Sequence, residues 1–167
     1  MRESPLLTPP FKQCALIVHD LDEAVRRWVE ELGIGPWTGY RLGPERLKEM
    51  RYHGREGRFS FRHALAWQGD VQFELIEPLE GESIFADHLE AHGEGMHHIG
   101  KYVPDHAAGV ELALAAGFVP LQSARGFGAE GDGAIAYFQP PGLPLIVELI
   151  EAPKVRIEPE FVYHPVG

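Results

Sequence analysis

The chain has one cysteine, Cys14, which excludes an intrachain disulfide and a fold held by cross-links. No apolar run approaches the about 18 residues that a membrane-spanning helix needs, so no membrane partner is expected. Positive charge is scarce: 15 Lys and Arg stand against 25 Asp and Glu, a formal net charge of −10. A surface of that sign repels phosphate backbones, so nucleic acid is not an expected partner. A few local arginines could still hold a small anion. Residues 1–10 mix Arg2, Glu3 and prolines without an apolar signal core, which points to a cytoplasmic protein.

What is present is a repeat. Phe11-Lys12-Gln13-Cys14-Ala15-Leu16-Ile17-Val18 precedes Asp20 and an amphipathic run. Met96-His97-His98-Ile99-Gly100-Lys101-Tyr102-Val103 precedes Asp105 and a similar run. Each copy closes on nearly the same strand, Phe73-Glu74-Leu75-Ile76-Glu77-Pro78 and Val147-Glu148-Leu149-Ile150-Glu151. In register, Gln13 falls against His98 and Glu74 against Glu148, so each half delivers two metal-capable side chains. Ligands arriving in symmetric pairs suggest a metal site on a pseudo-two-fold axis. At 167 residues and 44% hydrophobic content, the chain can build one well-buried domain or two small fused modules.

The first copy reads as a strand over 11–18 and then a helix opened by Asp20 and Glu23. Leu21, Val25, Trp28, Val29 and Leu32 share one helical face, and Gly33 and Gly35-Pro36 stop the helix. Residues 37–58 are expected to hold one short strand and a mobile loop. Phe59–Trp67 and Val71–Glu77 flank Gln68-Gly69-Asp70 as a hairpin. Ile84–His92 reads as a short linker helix ended by Gly93. The second copy predicts a strand over 97–103, an Asp105-capped helix over 106–116 and strands near 118–123, 134–139 and 144–150. This divides the chain into an extension (1–10), a first module (11–78), a linker (79–95), a second module (96–151) and a tail (152–167) that either packs across the core or frays.

Two such copies in this order resemble the vicinal-oxygen-chelate superfamily, the group of glyoxalases, bleomycin-resistance proteins and extradiol dioxygenases. The resemblance covers residues 11–151. It implies an α+β fold in which two βαβββ modules pair into a curved mixed sheet around a metal cavity. The stretch from Glu74-Leu75-Ile76-Glu77-Pro78 through Ile84 and Leu89 to Gly93-Glu94-Gly95-Met96-His97-His98-Ile99 looks most like the methylmalonyl-CoA epimerase branch. The family's ligand positions fall on Gln13, Glu74, His98 and Glu148. Epimerases commonly carry His where this chain has Gln13, and the Gln, Glu, His, Glu set also resembles that of some glyoxalase I enzymes. The family further implies a homodimer.

Strand alternation turns Gln13, Ala15 and Ile17 to one face and Cys14 to the other. By the same rule His98 points into the cavity and His97 out of it, and Glu77 and Glu151 are solvent-side or strand-end groups. A Gln, two Glu and a His suit one divalent cation such as Zn, Ni, Co, Mn or Fe and leave room for water or substrate. The implied reaction is proton abstraction beside a carbonyl of a small carbonyl or thioester substrate, through a metal-bound enediolate. Glu148 is the expected base and Glu74 its counterpart on the opposite face, as an epimerase needs. The alternatives are a glyoxalase I-like lactoylglutathione lyase and a metal-free small-molecule sequestering protein. An extradiol dioxygenase fits less well, since Gln13 replaces the histidine its iron site needs.

Weaker signals remain. Epimerases of this family place a further glutamate ahead of the hairpin strand, and Glu56 is the nearest, though out of register. His63 could face the cavity or the outside. His88 and His92 have metal-pair spacing but suit an exposed face beside Asp87 and Glu90. Gly126, Gly128 and Gly131 precede a strand, not a helix, so they mark a loop at the cavity mouth or a long hairpin turn and not a nucleotide site. Arg51, Arg55, Arg58, Arg62 and Arg125 could clamp an anion, or simply be solvated. Trp28 and Trp37 are expected in the core.

Overall fold

The computed structural model describes residues 9–165. Except for Pro9 and Pro10, the expected N-terminal extension lies outside the described residues. Strand β1 (Gln13–Ile17) leads into helix α1 (Leu21–Leu32). The helix begins where the Asp20 carboxylate accepts the Glu23 N–H at 2.9 Å, which satisfies one of the free donors of the first turn. It ends at Gly33, whose φ of 67° is left-handed. Leu21, Val25 and Val29 pack on Trp37, Ala64, Ala66 and Leu75, with Trp28 edge-on to Trp37 at 5.6 Å. Each such aliphatic burial contributes about 1.5–3 kcal/mol.

Strands β2 (Trp37–Leu42), β3 (Lys48–Tyr52), β4 (Arg55–Glu56), β5 (Phe61–Gln68) and β6 (Val71–Pro78) follow. The expectation of one short strand and a loop over 37–58 is therefore corrected to three strands. Their signal is weak because β3 is short, carries Glu49 at φ 50° and pairs with irregular register. The β3–β4 turn is His53-Gly54, both at positive φ (46° and 78°), as a tight two-residue hairpin requires. Helix α2 (Ile84–His92) is capped by Ser83. Then come β7 (Gly95–Tyr102), α3 (His106–Ala115), β8 (Val119–Arg125), β9 (Ala134–Gln139), β10 (Ile146–Glu151) and β11 (Phe161–Tyr163).

The strands form one curved mixed sheet in the order β11-β2-β5-β6-β1-β7-β10-β9-β8-β3-β4. In each half the last strand of the repeat returns parallel beside the first, β6 on β1 and β10 on β7. The halves meet where β1 and β7 pair antiparallel. The fold is thus α+β with two βαβββ modules. Helices α1 and α3 cover the outer face, while Ile84 and Phe85 of α2 join Ala15, Ile17, Phe61, Ile76 and Tyr137 on the inner face.

Glu77 and Glu151 lie at equivalent strand ends and do equivalent work. Glu77 accepts the Leu21 N–H at 3.0 Å and Glu151 the His106 N–H at 2.8 Å, so each carboxylate holds the positive end of its own module's helix. The tail packs: β11 pairs with β2, and Phe161 lies so close to Gly39 that a Cβ there would stand 2.2 Å from its ring.

Candidate metal centre

Gln13, Glu74, His98 and Glu148 all reach the inner face, and each is 5% exposed or less. Glu74 on β6 and Glu148 on β10 are separated by β1 and β7, about 14 Å across a flat sheet. Curvature brings ligand atoms of Glu74, His98 and Glu148 within 4.8 Å of one another. Small residues make the approach possible. Ala15 sits opposite both Glu74 and His98, and Gly100 opposite both Gln13 and Glu148. A Cβ on Gly100 would stand 2.6 Å from Gln13 Oε1 and 3.2 Å from Glu148 Oε2. Gly100 is a residue that sequence reasoning missed, although the repeat aligns it with Ala15, the other small residue.

The donors are held by neighbours. Gln13 Nε2 donates to Gln72 Oε1 at 3.0 Å, and the Tyr102 hydroxyl donates to the same oxygen at 2.8 Å. That fixes the Gln13 amide with Oε1 beside the cluster. His63 Nδ1 lies 2.6 Å from Glu74 Oε1, which places His63 in the cavity. His98 Nε2 lies 3.0 Å from Glu148 Oε2 and 3.5 Å from Glu74 Oε2. Gln13 Oε1 is buried and has no hydrogen-bond donor among the described residues, and Glu74 Oε2 is buried with only the distant His98 Nε2 to meet it. Buried acceptors left in this state are costly. Acceptor oxygens, a second carboxylate and an imidazole nitrogen are the donors a borderline or hard divalent cation takes, so the residues present fit such an ion.

The two carboxyls titrate in opposite directions. Burial pushes the Glu74 carboxyl up, but hydrogen bonds from His63 and His98 outweigh it and bring the pKa down to about 2. Burial also pushes Glu148 up, and here the charge and hydrogen bond of His98 and the Tyr137 hydroxyl offset it only in part, so its pKa stays raised. For His98, burial favours the neutral ring, yet the nearby Glu148 and Glu74 carboxylates raise its pKa to about 9.

His97 corrects a sequence-based expectation. Alternation predicts it facing outward, but the β1–β7 register slips between Ala15 and Leu16, leaving His97 without a partner in the ladder. A bulge of this kind puts two successive side chains on one face. His97 is accordingly buried, with Nδ1 2.8 Å from His98 Nδ1 and Nε2 3.3 Å from the Ile84 carbonyl. Burial and the His98 charge lower its pKa to about 2, so the ring is neutral. The Ile84 carbonyl only accepts, which puts the proton of His97 on Nε2 and leaves Nδ1 to accept from His98. A neutral His98 then carries its proton on Nδ1 and turns the Nε2 lone pair toward the carboxylates, the tautomer a metal ligand needs.

The remaining candidates separate. A small cavity of about 30 Å³ at the cluster is lined by Gln13, His63, Glu74, Glu148, Phe127 and Arg156, among others. Phe127 belongs to the glycine-bearing β8–β9 connection, which closes as a hairpin through the Gly126 N–H and Gly133 carbonyl. Glu56 is exposed on β4 and lines a different surface groove, with Arg51, Arg55 and Arg58. His88 and His92 face each other at 5.1 Å on α2, apart from the carboxylate cluster. Arg62 is engaged structurally by Asp22, Glu77 and Glu160. Arg156 gave no signal in the sequence, since it stands alone in a tail outside the repeat.

The fold pairs two βαβββ modules around a buried carboxylate–imidazole cluster that could hold a metal ion. The chain belongs to the glyoxalase/bleomycin resistance protein/dioxygenase superfamily, whose family model matches residues 12–138. Among solved structures, methylmalonyl-CoA epimerase from Mycobacterium tuberculosis is similar, with 23% identity over 86% of this chain and 89% of that one and a TM-score of 0.64. A Streptomyces coelicolor methylmalonyl-CoA epimerase variant bound to 2-nitronate-propionyl-CoA has 21% identity over 85% and 96%, with a TM-score of 0.63. A methylmalonyl-CoA epimerase bound to methylmalonyl-CoA and NH4+ has 22% identity over 87% and 96%, with a TM-score of 0.63. No curated protein sequence matches. Among the described residues no helix is long and apolar enough to cross a membrane.

Proposed function

We propose that the protein is a divalent-cation-dependent isomerase that removes and returns a proton beside a carbonyl, acting as an epimerase on a small 2-carboxyacyl thioester of the methylmalonyl-CoA type. The observation that carries this reading is the convergence of Glu74, His98 and Glu148, with the unpartnered Gln13 oxygen beside them. The folds of epimerases that bind methylmalonyl-CoA or its analogue support it.

Gln13, Glu74, His98 and Glu148 would hold the cation. When bound, it supplies Lewis acidity toward the oxygens of a carbonyl substrate. The rest is done by the chain. Glu148, with its raised pKa, is the group suited to exchange a proton with the substrate on one face, while the proton of the other face is exchanged with Glu74. The Tyr137 hydroxyl orients Glu148 through a hydrogen bond. Glu74 stands across the β1–β7 seam and faces the substrate from the other side, as exchange between two faces requires. The apolar Leu42, Phe61, Leu65 and Phe127 keep bulk water from the reacting carbon.

A glyoxalase I-like lyase is the second reading, favoured by the donor set of one Gln, two Glu and one His. A homodimer belongs to the same proposal, with the exposed Leu112, Leu114 and Val119 offering apolar surface, and sedimentation equilibrium tests it. The primary test is elemental mass spectrometry of the purified protein and of Glu148→Ala, followed by α-proton exchange of methylmalonyl-CoA in heavy water. One bound divalent ion, lost in the variant, together with exchange, is the expected result. Exchange seen only with the methylglyoxal–glutathione hemithioacetal would favour the lyase. No cation after reconstitution would sink both and leave a binding protein.

A further inference from the structure

The cavity at the cluster shares one wall with an adjoining groove of about 240 Å³ bounded by Pro36, Thr38, Tyr40, Trp67 and Gln72. The shared residue that carries charge is Arg156. It is the one Lys or Arg among the described residues lining either space. Its backbone is pinned on both sides. Upstream, the Val155 carbonyl accepts the Ala129 N–H at 2.8 Å, and the Lys154 N–H donates to Asp132 at 2.8 Å. Downstream, the Glu160 N–H donates to the Gly39 carbonyl at 2.8 Å, and its carboxylate accepts from Arg62 at 2.9 Å. Arg156 itself bridges to Gly128 of the β8–β9 connection. The tail thus runs as a strap from the second module to the first, with Arg156 over the opening between them.

Some arginines of the chain are already committed to carboxylates. Arg26, Arg27, Arg55 and Arg62 each pair with a carboxylate, whereas Arg156 has no ion pair among the described residues. Its guanidinium lies 5.8 Å from the Tyr40 ring centroid. A cation held beside an acidic cavity, with its fork uncommitted, has the chemistry to receive a planar anion.

We infer that Arg156 is the substrate-reading residue of this site, binding a free carboxylate on the substrate so that carboxylate-bearing carbonyl compounds are taken in preference to neutral ones. This rests on the reading of the cavity as a substrate site, and it assigns the specificity to the strap. Malonate and malonamate share one carboxylate, which stands in for the carbonyl end of the substrate, and differ at the other end by one charge and one acceptor oxygen, the end that Arg156 would read.

The test uses malonate and malonamate as probes, titrated calorimetrically into the cation-loaded protein, Arg156→Gln and Arg156→Lys. Malonate should bind the wild type about tenfold or more tighter than it binds Arg156→Gln, a typical span for a charged hydrogen-bonded pair. The preference for malonate over malonamate should shrink in Arg156→Gln and persist largely in Arg156→Lys. An unchanged preference in Arg156→Gln, or an equal loss for both probes, would overturn the assignment, as would a wild type with no preference. Bound cation and melting temperature should be the same in all three proteins. A wild type without cation or α-proton exchange, but with an Arg156-dependent malonate preference, would defeat the isomerase reading and leave Arg156 in place.

Discussion

The two modules present the same positions to the cavity and surround them differently. Leu65 lies opposite Glu74 in the first, and His63 approaches from the diagonal. Tyr137 lies opposite Glu148 in the second, and Ile135 takes the place equivalent to His63. Glu74 therefore meets two imidazoles and is held ionised, while Glu148 meets one imidazole and a hydroxyl, with Glu74's charge beside it. Fold symmetry sets where the carboxylates stand. Their neighbours set the state in which each rests: Glu74 rests ionised, and Glu148 holds a proton more readily.

That difference can be broken most severely at Glu148. Glu148→Gln should lower α-proton exchange by about 10²–10⁴-fold or more with an unchanged far-ultraviolet circular dichroism spectrum. Activity within a factor of a few of wild type would reverse the roles given to the two halves. Next in size is His97→Phe, which leaves His98 Nδ1 without its acceptor and should weaken cation affinity about 10–100-fold, read by competition with a chromogenic chelator. Gln13→His gives the first module the second's ligand. It should retain the cation and alter the order of preference among Zn, Ni, Co and Mn, and failure to fold would make Gln13 structural instead.

The chelator-treated protein should show the contrast in its pH dependence. Glu74 has a depressed folded pKa, so its contribution is present above about 4.5 and lost as pH falls toward about 2. Neutral His97, likewise depressed, begins to cost stability earlier, as pH drops below about 6.5. His98 is raised, so its contribution is complete below about 6.5 and disappears as pH climbs through about 9. Melting temperature should thus fall on both sides of neutrality, and His98→Gln should flatten the alkaline limb. The smallest effect lies at the paired small residues. Gly100→Ala should cost about 1–3 kcal/mol by crowding Gln13 and Glu148. Ala15→Gly, its counterpart, should cost only about 0.5–1 kcal/mol in denaturant titration.

Much of this was written in residue patterns. Asp20 with Glu23, and Asp105 after the second strand, mark helix starts because a short side chain must meet the free N–H groups there. The hairpin at Gln68-Gly69-Asp70 and the end of α2 at Gly93 follow from turn and cap chemistry, while the Ser83 cap of α2 was not read from the sequence. The pairing of Gln13 with His98 and of Glu74 with Glu148 is visible because a repeat compares the sequence with itself. Features that depend on what lies across the fold were hidden. His97 turns inward through a slip against β1, which no count along β7 reveals. His63 turns inward because β5 places it beside Glu74. Strand β3 owes its existence to pairing with β8, and Arg156 its position to β11 gripping β2.

The seam of β1 and β7 also makes the molecule divisible. Gly81 and Glu82 are exposed, and a break between them leaves every seam pairing and all four donors on their own strands. The two resulting pieces would each carry half a receptor, complementary in shape and incomplete in charge. Expressed apart and fused to the halves of a reporter, they would report a divalent ion if the proposed site draws them together.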